Sequence, residues 1–181
     1  MKKFELTNEF IANRFGTKLF RIRALVEFGD VEAGELGGYV EKESNLGHDD
    51  NAWVYGNARV YGDALVYDNA RVYGNAWVYG DAQVSGDARV CGDARVCGNG
   101  DYAYAHGFGS VNRTTTFFRL KDGGVGVRCG CFYGTLAQFR DKIRETHGET
   151  KKAQEYLMLA DLMELRFEED ENEVGNRKYV E

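Results

Sequence analysis

Proline is absent from this chain of 181 residues, and cysteine occurs only four times. Because glycine is abundant, at 23 residues, while proline is missing, the composition excludes a proline-rich linker and indicates many tight turns. No two cysteines form a C-x-x-C pair, so we expect free thiols in a reducing compartment at Cys91, Cys97, Cys129 and Cys131.

Long apolar runs and an excess of positive charge are also missing. No stretch approaches the roughly 20 apolar residues of a membrane span, and the first residues, MKKFELTNEF, lack the apolar run of a signal peptide. The net charge of −6 disfavours overall electrostatic attraction to nucleic acid or to an anionic membrane. The sequence therefore predicts a soluble protein of the cytoplasm with no membrane partner.

What the chain has instead is a repeat of six residues. Eight consecutive hexads cover residues 51–98, and each has alanine at its second position and valine at its fourth. Because six is a multiple of two, a β-strand keeps its facing from one hexad to the next, whereas the helical period of 3.6 does not fit. Each hexad therefore predicts a short strand followed by a corner of glycine with asparagine or aspartate. The alanine and valine point inward, and the residue between them points outward.

Such short strands cannot bury an apolar face alone, so they must stack on one another as a solenoid. The pattern of an aliphatic residue followed four positions later by a small one, as in Val54 and Ala58, resembles the hexapeptide repeat of left-handed parallel β-helices. That resemblance implies three hexads, or ~18 residues, per triangular coil. Upstream of the array, Val40 and Leu46 fall on the inward phase that alanine occupies.

Stacking at this period predicts columns of outward side chains. One face should carry Trp53, Arg71 and Arg89, the second Arg59, Trp77 and Arg95, and the third Leu65 and Gln83. Near the corners, Tyr55 should stack with Tyr73 and Cys91, and Tyr61 with Tyr79 and Cys97.

So many outward rings favour an interface over a bare surface. The predicted interface residues are Trp53, Tyr55, Tyr61, Arg71, Tyr73, Trp77, Tyr79 and Arg89. Because hexapeptide helices commonly form parallel trimers, we expect a homotrimer. The alternative is that the rings simply pack along the coil surface as strand formers.

The flanking segments lack the repeat, and they divide the chain into four predicted parts. Residues 1–35 form a cap that covers the apolar end of the solenoid, which spans 36–110. Residues 111–167 form a β-hairpin and two helices, and 168–181 form an acidic tail. The predicted fold class is mainly β, with a small C-terminal α+β domain.

The C-terminal pattern predicts each element in turn. A strand at 114–120, a turn at 121–124 and a return strand at 125–131 make the hairpin. Thr135 and Gln138 form a capping box at the start of a helix that ends at Gly148, and a second helix runs from about Thr150 to Phe167.

Three stretches resemble hexapeptide-repeat β-helix proteins of phages and prophages, which carry labels such as polymer-forming or transferase-like. They are LFRIRALVEFGDVEAGELGGYVEKESNL, the A-x-V-x-G-[ND] array, and FFRLKDGGVGVRCGCFYGTLAQFRDKIRETHG. The resemblance covers nearly the whole chain, and it implies the architecture and, for a phage-encoded chain, the host cytoplasm. It transfers no activity, because fold does not imply function.

The best candidate for a ligand pocket lies where the repeat ends. Hydroxyl, amide and guanidinium groups gather there, and together with glycine N–H groups they suit a phosphate or carboxylate. The candidate ligand-binding residues are Ser110, Asn112, Arg113, Thr114 and Thr115. The alternative is a polar connector that satisfies the backbone groups of the last coil.

Catalytic residues are not predicted. Acyltransferases of the hexapeptide class use a histidine base near a projecting loop, and residues 51–98 contain neither. His48 and His106 fall on inward phases, so we expect them to be packed or hydrogen-bonded, and His147 to complement a helix dipole.

Metal and nucleic-acid sites are also disfavoured. Cys129 and Cys131 would share one face of a strand, but zinc needs further ligands that are not nearby in sequence, so we expect no metal and no cofactor. Stacked Arg71 and Arg89 suit phosphate, but corner carboxylates nearly neutralise such positions, namely Asp63, Asp81, Asp87 and Asp93.

Three functions remain open. The first is a non-enzymatic trimeric scaffold of phage or prophage origin that binds a host protein or acts on a host defence system. The second is a trimer that binds a small anionic ligand such as a nucleotide signal. The third is a hexapeptide-type acyltransferase.

Overall fold

The computed structural model describes residues 2–109, 111 and 113–168, and it is mainly β. Strands β1 (Phe4–Ala12), β2 (Lys18–Ala24) and β3 (Leu36–Val40) form the N-terminal cap. β1 pairs antiparallel with β2, and β2 pairs antiparallel with β3. β3 then runs parallel to a strand of the solenoid, so the cap extends one solenoid face as a single six-stranded sheet.

The solenoid is built from eight two-residue strands in hexad order. They are β4 (Trp53–Val54), β5 (Arg59–Val60), β6 (Leu65–Val66), β7 (Arg71–Val72), β8 (Trp77–Val78), β9 (Gln83–Val84), β10 (Arg89–Val90) and β11 (Arg95–Val96). Each of the first five, β4 to β8, pairs in parallel with the strand three hexads later, as Trp53 does with Arg71 and Arg71 with Arg89. This confirms a parallel β-solenoid of about three turns, with three hexads per coil and the predicted outward columns.

The interior of the solenoid consists of the repeated alanines and valines. All eight alanines and all eight valines of the array are at most 1% exposed. Burying one valine side chain contributes roughly 1.5–3 kcal/mol, so the array forms the main core of the molecule. The predicted alternation of inward and outward residues is confirmed.

The first coil differs from the prediction in its register. Val40 lies opposite Val60, and Leu46 lies opposite Val66, so both occupy the valine columns. The expectation that they take the alanine position is wrong. Leu46 and Val54 are successive positions of the valine pattern, but they lie eight residues apart instead of six. The two extra residues enlarge one corner of the coil, so the inward positions upstream of it are displaced by two residues.

The cap covers Trp53, which we expected to be exposed. Its indole points away from the valine core but is 0% exposed, because the rings of Phe4 and Phe28 pack edge-on against it at 6.1 and 5.3 Å. Lys3 fixes the same corner through its Nζ, which donates a hydrogen bond to the Ala52 carbonyl at 2.9 Å. Trp53 therefore offers no surface to a partner while the cap is in place.

The solenoid ends earlier than its periodicity suggests. β12 (Tyr102–Phe108) belongs to a separate antiparallel sheet, where it pairs with β13 (Arg113–Arg119) instead of forming a further coil. β14 (Val125–Cys129) and β15 (Phe132–Thr135) complete this four-stranded sheet. A tight turn at residues 130–131 separates them, so the prediction of one strand through Cys131 is wrong and β15 was missed.

Two helices cover one side of this sheet. α1 (Leu136–His147) begins at the predicted capping box, in which Thr135 accepts from the Gln138 N–H and Gln138 accepts from the Thr135 N–H. α2 (Lys151–Phe167) follows after a short turn. Their apolar faces pack on the sheet in a second core. Among the described residues no helix is long and apolar enough to cross a membrane.

Arg119 joins the solenoid to the C-terminal sheet and helices. It is 4% exposed, and its guanidinium donates to the carbonyls of Gly123 and Phe167 at 3.1 and 3.0 Å. Its Nε lies 4.0 Å from Asp101, which itself accepts from the Cys97 N–H at the end of the last coil. One buried arginine thus connects the last coil, the β13–β14 hairpin and α2.

Burial of Trp53 under the cap leads to a prediction on stability. Trp53→Ala should lower the free energy of unfolding by about 3–5 kcal/mol, because it removes a fully buried ring. Trp77→Ala changes the equivalent residue of a hexad on an open face, and should cost at most about 1.5 kcal/mol. Urea denaturation followed by circular dichroism measures both. Equal losses would contradict the placement of the cap.

Lys3 leads to a prediction on pH. Burial of its amino group lowers the pKa to about 8, although Asp50 and Asp49 oppose the shift. In the unfolded chain the pKa returns to about 10.4, so between these values the unfolded state binds more protons and stability rises with pH. Between pH 8 and 10.4 the free energy of unfolding of the wild type should rise, relative to that of Lys3→Met, by on the order of 2 kcal/mol. Methionine is the suitable replacement because it keeps the apolar stem and does not titrate.

Denaturation of both proteins at a series of pH values isolates the contribution of Lys3, because the tyrosines titrate equally in each. A stability difference that stays constant between pH 8 and 10.4 would show that the Lys3 amino group is not buried as described.

Candidate functional site

A concave site that contains three arginines lies on the first solenoid face, which carries β4, β7 and β10. We call it the arginine pocket. It has a volume of about 560 Å³ and is lined by Asn51, Asn69, Arg71, Asp87, Arg89, Val111, Arg113, Thr114 and Gly130. The pocket brings together residues that the sequence assigned to two separate sites, since Arg71 and Arg89 were interface candidates and Arg113 and Thr114 were ligand candidates.

Three different elements position the three guanidinium groups. Arg71 and Arg89 are neighbours in the parallel ladder between β7 and β10. Arg113 begins β13 and extends over the β14–β15 turn. Gly130 in that turn has a φ of +58°, and a Cβ there would clash with Nη1 of Arg113. Glycine suits this position for two reasons. Its backbone adopts a positive φ readily, and the absence of a side chain leaves room for the Arg113 guanidinium.

The charges of the pocket are only partly neutralised. Arg71 forms an ion pair with Asp30 at 2.7 Å. Burial would raise the pKa of Asp30, but hydrogen bonds from Arg71 and Tyr55 outweigh it and leave that pKa below its ordinary value. Within the described part of the chain, Arg89 and Arg113 have no carboxylate within 4 Å. Two arginines of the pocket thus keep an unpaired positive charge.

A ladder of amide side chains forms one wall of the pocket. The side chain of Asn51 donates to Asn69 at 3.1 Å, and Asn69 donates to Asp87 at 3.2 Å. Each rung comes from the same corner of a successive coil. Because Asp87 accepts from the ladder, the one carboxylate that lines the pocket is already engaged. Sequence reasoning treated Asn51 and Asn69 as turn formers and Asp87 as a corner carboxylate that nearly neutralises the stacked arginines, and it did not identify the three as the wall of a pocket.

The remaining predicted ligand residues have different environments. Thr115 is 1% exposed and its hydroxyl donates to Cys129 Sγ at 3.2 Å, so it supports the sheet and does not line the pocket. Thr114 lines the pocket, and its hydroxyl lies 2.9 Å from Nδ1 of His106. Ser110 and Asn112 lie outside the described residues.

The second face carries a column in which arginine alternates with an aromatic residue. We call it the cation–aromatic ladder, and it consists of Arg21, Tyr39, Arg59, Trp77 and Arg95, paired in that order across β2, β3, β5, β8 and β11. The guanidinium of Arg21 lies 5.5 Å from the Tyr39 ring, and those of Arg59 and Arg95 lie 4.9 and 4.1 Å from Trp77. The repeat predicted only the last three rungs, because Arg21 and Tyr39 lie outside the hexads.

The corner tyrosines are half-buried against their own neighbours. Tyr61 stacks on Tyr79 with centroids 5.2 Å apart. Tyr55 donates to Asp30, and burial raises the pKa of Tyr55 to about 12. Arg128 lies over the ring of Tyr73 at 5.9 Å. These contacts match the alternative in which the rings pack along the coil, and they leave part of each ring exposed.

All three histidines are engaged in contacts within the chain. His48 stacks on Phe4 at 4.5 Å, and its Nδ1 accepts from the backbone N–H of Lys3 at 3.2 Å. His147 stacks on Tyr156 at 5.9 Å, and His106 contacts Thr114 as described above. His106 thus contacts a hydroxyl that lines the arginine pocket, whereas His48 and His147 contact aromatic rings elsewhere in the fold.

No disulfide joins any of the four cysteines, all of which lie in the described part of the chain. Cys129 ends β14 while Cys131 lies in the tight turn, so the two do not share a strand face as we expected. Within residues 2–109, 111 and 113–168, no group of three or more His, Cys, Asp or Glu side chains is placed to hold a metal ion.

Comparison with known proteins supports the repeat architecture. The family model described as the YdcK beta solenoid repeat matches residues 52–68, 64–80 and 82–98. These matches fall within the hexad array and cover less than half of the chain, so they identify the repeat rather than the whole protein. No curated protein matches the sequence.

Proposed function

We propose that this protein is a non-enzymatic binding scaffold, in which a rigid solenoid presents arginines at fixed positions to another protein. The observation that carries this proposal is the unpaired charge on two neighbouring faces. Arg89 and Arg113 on the first face, and Arg59 and Arg95 on the second, have no carboxylate within 4 Å among the described residues. Arginine presents a planar fork of N–H donors that binds carboxylate or phosphate in two-point contacts.

The architecture favours binding over catalysis. Each coil holds the next through backbone hydrogen bonds and a continuous alanine–valine core, so the outward side chains are fixed relative to one another. Preorganised side chains lose less entropy on binding than mobile ones do. A repetitive surface of this kind suits recognition of an extended partner surface.

The finer parts of the proposal rest on the sequence. We propose a parallel homotrimer, since the half-buried corner tyrosines still expose part of their rings. The resemblance to phage and prophage proteins supports a phage origin and a partner in the host, such as a component of a defence system.

Capture of partners from a bacterial host lysate tests the scaffold function. We expect the wild-type protein to retain a defined host protein. Replacing Arg59, Arg89, Arg95 and Arg113 by alanine should reduce that retention at least about tenfold, because these guanidiniums supply the unpaired charge. The matched control replaces four exposed cations elsewhere, namely Arg14, Arg144, Lys151 and Lys152, and should retain the partner.

Light scattering on each variant measures the number of chains per particle, which we expect to be three. This control ensures that weaker capture of the partner does not result from dissociation of the trimer. Equal retention by both quadruple variants, or no retained protein at all, would contradict the proposal.

A second candidate function is favoured by the arginine pocket itself. Its volume of about 560 Å³ lies within the range of small-molecule sites, and its polar lining suits an anion such as a nucleotide signal. The third hypothesis, acyl transfer, lacks the projecting loop of its class, since the eight hexads of residues 51–98 follow one another without an insertion.

Native mass spectrometry tests the small-ligand candidate. Protein purified from cells should carry a bound anionic molecule, and Arg113→Ala should lose it, because that residue supplies an unpaired guanidinium to the pocket. Lys152→Ala, on the exposed side of α2, serves as the control. A ligand-free spectrum for the wild type, or equal occupancy in both variants, would rule this candidate out.

A further inference from the structure

We propose that the cation–aromatic ladder of the second face is a docking groove for an acidic, extended segment of a partner protein. The inference rests on the proposed binding function and names the chemistry of the partner. It depends on the ladder and not on the arginine pocket, so the two surfaces can be tested separately.

The groove beside the ladder is concave and has a volume of about 440 Å³. Four of the five ladder residues line it, all except Arg21. The rest of the lining consists of a row of corner residues, Asn57, Asn75 and Asp93, together with Ile11 and Lys121. The cap supplies one end, the solenoid the centre and the β13–β14 hairpin the far end. Three parts of the fold therefore converge on a single surface.

The charge of this groove is positive. Arg59, Arg95 and Lys121 line it, and none has a carboxylate within 4 Å in the described part of the chain. Asp93 is the one acidic side chain among its lining residues, and it already accepts a hydrogen bond from Asn75 at 3.3 Å. A chain with a net charge of −6 thus keeps a local excess of cations here, which complements an acidic partner.

Arg59 and Arg95, the two ladder arginines that line the groove, use only part of their hydrogen-bonding capacity. One nitrogen of Arg95 donates to the carbonyls of Asn75 and Ala94 at 3.1 and 2.8 Å. The buried Nε of Arg59 has no partner among the described residues. Because both guanidiniums lie within 5 Å of the Trp77 ring, the contact restrains them, and their remaining N–H groups can bind an anion at low entropic cost.

The same stacking disfavours nucleic acid as the ligand. Single strands bind such surfaces by stacking bases on free aromatic faces. Arg59 and Arg95 belong to the strands on either side of Trp77, and both guanidiniums lie within 5 Å of its ring. The ring is thus already stacked within the ladder, and what the groove offers is charge and N–H donors, which suits carboxylates.

The spacing of the ladder indicates an extended partner. Neighbouring rungs of a sheet are about 4.8 Å apart, so Arg59 and Arg95, two rungs apart, are separated by about 9–10 Å. In an extended polyproline II segment, residues three apart lie on one side at about 9.3 Å. Acidic side chains at every third position therefore fit the two arginines.

The test is fluorescence anisotropy with a labelled twelve-residue peptide that has glutamate at every third position. We expect the wild type to bind it and the double variant Arg59→Gln, Arg95→Gln to bind at least about tenfold more weakly. The matched control, Arg144→Gln with Lys152→Gln on the exposed sides of α1 and α2, removes the same charge away from both surfaces and should change the affinity by no more than about twofold.

A second readout reports contact with the ladder directly. The chain has two tryptophans, so Trp53→Phe leaves Trp77 as the only source of tryptophan fluorescence. Peptide binding should change the Trp77 emission, which binding to another cationic patch would not do. Equal weakening by both double variants, with no change in emission, would show non-specific attraction and overturn the proposal.

Two further probes identify the ligand class. A peptide with glutamine in place of each glutamate should not bind, and an oligo-dT strand should bind more weakly than the acidic peptide. Stronger binding of oligo-dT, lost in the ladder variant, would reassign the groove to a phosphate backbone and overturn the proposal. If the peptide fails to bind while host-protein capture succeeds, the scaffold function stands and the ladder is not its surface.

Discussion

The narrow interior of the solenoid is the constraint on which the rest of the structure depends. Only small and β-branched side chains fit there, so alanine and valine alternate with outward residues without a break from Ala52 to Val96. Within this range every coil therefore has the same length, and side chains three hexads apart must form columns. The arginine pocket and the cation–aromatic ladder are both consequences of this, because each consists of outward residues that the core holds at one fixed spacing.

The residues that respect the repeat could be predicted from the sequence. Parity and period alone gave the inward valines, the three outward columns and the stacking of Arg59, Trp77 and Arg95. Local capping chemistry likewise predicted α1, because Thr135 and Gln138 satisfy each other's backbone groups. Half of the arginine pocket was also within reach, since Arg113 and Thr114 were identified by residue type, although not as neighbours of Arg71 and Arg89.

What could not be predicted depends on contacts between distant segments. The sequence places Trp53 outside the coil but does not reveal that Phe4 and Phe28 cover it. One enlarged corner shifts the phase of Val40, and periodicity cannot locate such an insertion in advance. The sequence also did not reveal the turn at Gly130, which contacts Arg113 and precedes β15. The residues of that turn fit the pattern of a continuous strand as well as that of a turn.

The alternation of facing is tested most directly by cysteine accessibility in a protein whose four native cysteines are replaced by serine. Single cysteines would be placed at adjacent residues on each face, namely at Arg71 and Val72, Trp77 and Val78, and Gln83 and Val84. We predict that a maleimide reagent labels the first residue of each pair rapidly in the folded protein and labels the second only after unfolding. Equal labelling within the pairs would show that valine does not face a closed interior, and would contradict the account.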